Sequence, residues 1–155
     1  MPDPTFQANT PESASQDKLE LAFREAPTAF LTVPTKGEQT LTISPNTATY
    51  DAYAEGTDDA WQFAVKTGAS GTLTVRTAAP ATNAVVNKML ATSYKLGSAG
   101  NVLFKYTRKD GMVFQGELVL GHGNPVSAAR GIAEYTFAGT TTGPVTPVLP
   151  TVPTP

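Results

Sequence analysis

The 155-residue chain contains no cysteine. That excludes a disulfide framework and any thiolate metal site. Histidine occurs once, as His122 in Gly121-His122-Gly123-Asn124-Pro125. A lone histidine could join only a carboxylate-dominated metal site, and it gives a Ser–His pair little to draw on, so it reads as a turn residue. Gly121 and Gly123 do not extend to a dinucleotide fingerprint. Asp58-Asp59 is a carboxylate pair, but neighbours at a strand entry point apart, and solvated loop acids are the simpler reading. A net charge of −2 without a basic patch argues against tight non-specific nucleic-acid binding. No apolar run approaches the length of a membrane span, and Met1-Pro-Asp-Pro4 does not read as a signal peptide. A soluble chain made in a cytoplasm is expected, with no catalytic residue, no cofactor and no metal.

What is abundant is threonine, glycine and proline, and this lowers the hydrophobic content to 40%. Threonine is β-branched and tolerates exposed strand positions, so the bias points to sheet. The length suits one domain. Residues 18–24 alternate strictly, with Leu19, Leu21 and Phe23 on one face and Lys18, Glu20, Ala22 and Arg24 on the other, the pattern of a half-buried strand. Short strands follow at 30–33 and 40–44. Residues 45–59 break the pattern and read as a long, functional loop. Tyr50 and Tyr53 on that loop resemble interface anchors; the alternative is that they fold back over the sheet edge. Residues 60–67 place Trp61, Phe63 and Val65 inward, and a turn at 68–71 leads into 72–77 with Leu73 and Val75 inward, a hairpin.

One helix is expected near 83–96, capped by Thr82 or Asn83 after Pro80. Its apolar face holds Val85, Val86, Met89 and Leu90, and Gly97 suits the left-handed position beyond its end. Residues 101–108 and 112–120 form a hairpin whose register can be derived. A two-residue Asp110-Gly111 turn would set Phe104 opposite Glu117. A three-residue loop with Gly111 left-handed pairs Arg108 with Met112 and keeps Val102, Phe104 and Tyr106 opposite Leu118, Gly116 and Phe114. Consistency of faces selects the second register. The last strand covers 129–139, with Ala133, Tyr135 and Phe137 on one face.

The two ends differ in kind. Residues 1–17 read as an extended arm with Phe6 as a possible anchor, or as a disordered leader. In residues 140–155 prolines recur at 144, 147, 150 and 153. Polyproline II has about three residues per turn, so Pro144, Pro147, Pro150 and Pro153 would form one stripe on a rod. Such a rod is either a solvated linker or an arm laid on a neighbouring surface. Lacking these N–H groups, it is a poor candidate for adding a strand to another sheet.

From the Asp110-Gly111 hairpin through Phe114-Gln-Gly-Glu-Leu118 to Ala129-Arg-Gly-Ile-Ala-Glu-Tyr-Thr-Phe-Ala-Gly139, the sequence resembles the end of tail tube proteins of long-tailed bacteriophages. Their closing strand has the form aromatic-x-aromatic-x-Gly, here Tyr135, Phe137 and Gly139. Gly71-Thr-Leu-Thr-Val75, one helix and a long hairpin are similar to the family's middle section, and the resemblance spans roughly 18–140. It implies a mainly β fold, an antiparallel β-sandwich or half-barrel (18–139) with one flanking helix between the two arms. It also implies six-membered rings stacked into a tube that conducts double-stranded DNA without tight binding. The partners it implies are further copies of the chain, a tape measure protein and a terminator, with no membrane. The location it implies is the virion tail, after assembly in the host cytoplasm. By the same resemblance Glu20, Glu117 and Glu134 would face the lumen, with Lys18 and Lys105 as exceptions. Tyr50, Tyr53, Glu55, Asp58 and Asp59 would reach the adjacent ring, and Phe6 and the four prolines would make arm contacts. Many of that family carry an immunoglobulin-like domain after the closing strand, where this sequence continues into the proline-rich segment.

Three other readings compete. A ring-forming terminator or connector would share the fold. A small β-sandwich binding carbohydrate or protein would use Trp61, Tyr50 and Tyr53 as a stacking platform lining one groove. A hydrolase built on Asp58, Asp59 and His122 would need His122 within hydrogen-bond reach of a carboxylate.

Overall fold

A computed structural model of the chain describes residues 17–34, 36–53, 60–127, 131 and 133–152. Strands β1 (Lys18–Phe23), β2 (Leu31–Thr32), β3 (Lys36–Tyr53) and β4 (Ala60–Thr77) precede the helix α1 (Ala84–Ser93). A 3-10 turn (Gly97–Gly100) leads into β5 (Asn101–Thr107), β6 (Val113–Leu120), β7 (Asn124–Val126) and β8 (Glu134–Val148). All pairings are antiparallel and belong to one eight-stranded open sheet in the order β2-β1-β5-β6-β8-β4-β3, with β7 added to β8. The mainly β architecture with a single flanking helix is the one expected.

One face of the sheet is the core. Leu19, Leu21 and Phe23 of β1 pair with Tyr106, Phe104 and Val102 of β5, which pair in turn with Phe114, Gly116 and Leu118 of β6. Phe137 of β8 and Leu73 and Val75 of β4 extend the same layer, and α1 closes over it with Val86 and Met89, both fully buried. The helix starts where expected: the Asn83 side chain accepts from the N–H groups of Val85 at 3.0 Å and Val86 at 3.4 Å. It ends sooner, capped at Tyr94, and Gly97 uses its positive φ of 61° to open the 3-10 turn rather than to terminate the helix.

The β5–β6 register is the derived one. Phe104 faces Gly116, Tyr106 faces Phe114 and Lys105 faces Gln115. Arg108 N–H donates to the Met112 carbonyl at 2.8 Å, and Gly111 sits at φ 88°. At the closing strand Gly139 has a packing reason: a Cβ there would lie 2.6 Å from Leu118 Cδ1 and 3.2 Å from the Val119 carbonyl.

Three expectations are overturned. First, 45–53 is not a loop, and the glycines at 68 and 71 do not make a turn. β3 and β4 are single strands of 18 residues each, paired from Lys36↔Thr77 to Tyr53↔Ala60. Pro45 is tolerated within β3 because that strand is the sheet edge. Second, Trp61, Phe63 and Val65 are not inward; they are 68%, 47% and 50% exposed. Third, the segment after Gly139 is not a free polyproline rod. β8 continues to Val148, with Thr146 opposite Gln115, Pro147 opposite Phe114 and Val148 opposite Val113. The prolines fit because β4 pairs with β8 only from Tyr135 to Thr140, so beyond Thr141 that flank of β8 has no ladder partner among the described residues. Gly143, at φ 79°, lies in the register shift that admits Pro144.

Candidate assembly interface

The second face of the sheet carries the charged residues anticipated for a lumen. Register places Glu20 opposite Lys105, Lys105 opposite Gln115, and Glu117 opposite Thr142. Alternation along β8 then puts Thr140, Thr136 and Glu134 on the same side, and β4 and β3 add Thr72, Thr74, Thr40 and Thr42. Glu20, Glu117 and Glu134 therefore share one face. They are not alone on it. Glu20 is bridged to Lys18 at 2.9 Å, Glu117 accepts from the Asn101 amide at 2.7 Å, and Lys105 and Arg76 lie on the same side. The surface is threonine-rich and nearly charge-balanced.

Beyond Gly71 the β3–β4 pair leaves the sheet as a two-stranded ribbon. The last link to β8 is Gly71 N–H donating to Thr141 Oγ1 at 2.8 Å. Every described side chain from Thr42 to Asp51 and from Trp61 to Ser70 is exposed. The ribbon is nevertheless two-sided. Tyr50 opposes Phe63, with rings stacked at 5.3 Å, while Ala48 opposes Val65 and Ala52 opposes Trp61. The other side holds Thr47, Thr49, Asp51, Gln62, Ala64 and Lys66, with Gln62 donating to Asp51 at 3.3 Å.

The side on which this apolar stripe lies follows from one residue. Asn46 pairs with Gly68 and Thr47 with Lys66, leaving Thr67 as an extra residue in β4, its hydroxyl donating to the Asn46 carbonyl at 3.0 Å. A bulge shifts the alternation of the bulged strand by one. Leu73 and Val75 face the core, whereas Val65, Phe63 and Trp61, odd-numbered like them, end on the opposite face. This shift explains why the inward reading of Trp61 failed. The signal that sequence reasoning passed over lies in β3, where the alternation of 40–44 continues unbroken through Ala48, Tyr50 and Ala52.

The remaining candidate residues scatter. The Tyr53 backbone pairs with Ala60 at the ribbon's end. Phe6, Glu55, Asp58, Asp59 and Pro153 lie outside the described residues. Pro144 and Pro147 belong to β8, and Pro150 follows it, its Cβ 3.3 Å from where Gly111 would carry one. His122 accounts for itself structurally: its Nδ1 lies 2.7 Å from the Ser93 carbonyl and its ring stacks on Tyr94 at 4.7 Å. Among the described residues no group of three metal-ligating side chains comes together, and no helix is long and apolar enough to cross a membrane.

No family model and no curated protein matches the sequence. Solved structures do match. A chain in the tail of an empty gene transfer agent particle, determined by helical refinement with C6 symmetry, aligns with a TM-score of 0.63 at 12% identity, covering 90% of this chain and 100% of that one. A chain in the virion of a native gene transfer agent particle aligns at 0.60 and 11% identity with the same coverage. The resemblance drawn from the closing strand and the middle section points the same way. The chain has the fold of these gene transfer agent particle chains, over nearly its whole length.

Proposed function

We propose that this chain is a tail tube subunit that assembles into stacked six-membered rings, a conduit through which DNA passes to the host. The observation that carries this reading is the alignment to the full length of a chain in a C6 tail, with little of this chain left over. Two features support it. The apolar side of the β3–β4 ribbon is exposed in a single copy, and such a surface is typical of an assembly contact. The threonine-rich face bearing Glu20, Glu117 and Glu134 has no basic patch, so phosphates gliding along it meet no strong attraction. We assign that face to the lumen. The ribbon, with Tyr50, Tyr53 and the acids Glu55, Asp58 and Asp59, contacts the adjacent ring. A tape measure protein and a terminator are its partners in the virion tail, following assembly in the host cytoplasm. The role is structural rather than enzymatic.

Electron microscopy of the purified protein at increasing concentration tests the reading. Hollow tubes are expected. Isolated six-fold rings that never stack would point to a terminator or connector of the same fold. A dispersed monomer at high concentration would overturn both.

A further inference from the structure

The ribbon and a partly open cavity lined by β1, β5 and β6 lie at opposite ends of the sheet. β4 leaves β8 in the direction of Val148, Val113 and Thr107, the end that holds the Gly111 turn. Trp61 lies ten residues along β4 from Gly71, whereas β8 runs only seven residues from Thr141 to Val148. At ~3.3 Å per residue the ribbon outreaches the sheet by roughly 10 Å. The cavity, of about 330 Å³, sits at the other end, where β1 finishes and β5 begins, at the margin of the face that carries Glu117. Among its lining residues Ala22, Pro27 and Leu103 are apolar, and Arg24, Asn101 and Glu117 are charged or polar. Its volume is at the lower end of pockets that take small organic groups, about 300–1,000 Å³.

We infer that this cavity is the socket for Trp61 of a second copy. The inference rests on the tail-tube reading and names the surface that its ribbon contact seats on. Trp61 is the only tryptophan of the chain and is 68% exposed, although exposed tryptophan is the residue most costly to leave in water. An indole carries one N–H donor and an apolar body. The cavity lining offers the apolar Ala22 and Leu103 and the Glu117 carboxylate, already oriented by Asn101 at 2.7 Å. Charge agrees. Asp51 and the acids that follow in sequence, Glu55, Asp58 and Asp59, carry no lysine or arginine among them. The receiving end presents the exposed cations Arg24, Lys88 and Lys95 against one exposed acid beside them, Glu25, with Lys88 above the Phe23 ring that borders the cavity. Because knob and socket are unlike surfaces at opposite ends, the contact is head-to-tail, the kind that propagates instead of closing a dimer.

The single tryptophan makes the test direct. As wild-type protein is concentrated through the onset of assembly, Trp61 emission shifts to the blue and becomes protected from a soluble quencher. Leu103→Lys, which puts a charged side chain into the socket lining at a half-buried position, removes the shift and raises the concentration needed for stacking by roughly tenfold or more. Circular dichroism reports whether that variant folds, and the wild-type emission is decisive without it. Tubes whose tryptophan stays exposed overturn the socket, as does a folded Leu103→Lys variant that stacks and shifts as wild type does. Protein that never assembles overturns the tube reading and the socket together. Ordered tubes with an unshifted tryptophan overturn the socket alone.

Discussion

Replacing Gly139 by alanine should destabilise the fold through one methyl group. The position pairs with Leu73 on one side and Leu120 on the other, and it sits beneath Leu118. The added Cβ would meet Leu118 Cδ1 at 2.6 Å and the Val119 carbonyl at 3.2 Å. Leu118 is fully buried, so its methyl cannot swing into solvent, and the carbonyl is fixed in the ladder with β8. Overpacking of this kind costs about 1–3 kcal/mol. The lower unfolded-state entropy of alanine returns about 0.4–1 kcal/mol. The net loss is then roughly 1–2 kcal/mol, and for a chain of this size a kcal/mol corresponds to about 2–4 °C in Tm. Thermal unfolding followed by circular dichroism, below the concentration at which copies associate, should show a fall of about 2–8 °C. Thr140→Ala, one residue on and exposed, should stay within about 0.5 kcal/mol of wild type. A Gly139→Ala protein as stable as wild type would refute the reasoning, because Leu118 would then have room to yield and the glycine would owe nothing to the core.

Asn83→Ala removes the acceptor that satisfies two N–H groups at the start of α1, and should cost about 1 kcal/mol in denaturant unfolding. The Tyr106 hydroxyl donates to Asp17 Oδ2 at 2.7 Å, and burial, then that carboxylate, push its pKa from 10.0 up to about 12. A group whose pKa is raised by folding contributes in full below its unfolded value and loses that contribution as pH climbs from 10 through 12. The Tyr106→Phe variant should therefore lose stability less steeply than wild type across that window, and equal slopes would count against the linkage. Replacing Tyr50 and Tyr53 together by alanine should leave the unfolding free energy within about 0.5 kcal/mol of wild type, since the Tyr50 side chain is outside the core. The same double variant should fail to form tubes under the microscope.

Local signals were legible where they were also decisive. The β5–β6 register followed from face consistency and from the demand of Gly111 for a left-handed backbone, and both depend on residues within one hairpin of twenty positions, 101–120. The Asn83 cap and the apolar side of α1 were legible for the same reason. The ribbon was not. Its strands are long because β3 and β4 continue pairing after the sheet has stopped, and nothing local says where a sheet stops. The glycines at 68 and 71 mimic a turn, and Pro45 mimics a strand end. The bulge at Thr67 then reverses the meaning of an alternation that had been read correctly as a pattern and wrongly as a direction. The prolines after Gly143 misled in the opposite sense. Their spacing permits a rod, but whether an N–H is missed depends on whether a strand lies alongside, which is a tertiary fact.

These two misreadings have one physical root. Among the described residues, both segments run along parts of the sheet paired on one flank: β8 beyond Thr141 pairs only with β6, and β4 before Gly71 pairs only with β3. An isolated two-stranded ribbon is at best marginally stable in water, and this one exposes Trp61, Phe63, Val65 and Tyr50 on one side. A monomer would gain by folding those side chains inward, and the register shift at Thr67 directs them to the face opposite the core. The arrangement is costly for a protein that works alone and sensible for one whose neighbours finish the structure. Proline at 144 and 147 fits the same logic, since it denies the open flank of β8 some of the donors that an unintended strand would need. The open flank of β8 is blunted, and the apolar ribbon is the surface that the proposed tube contact would cover.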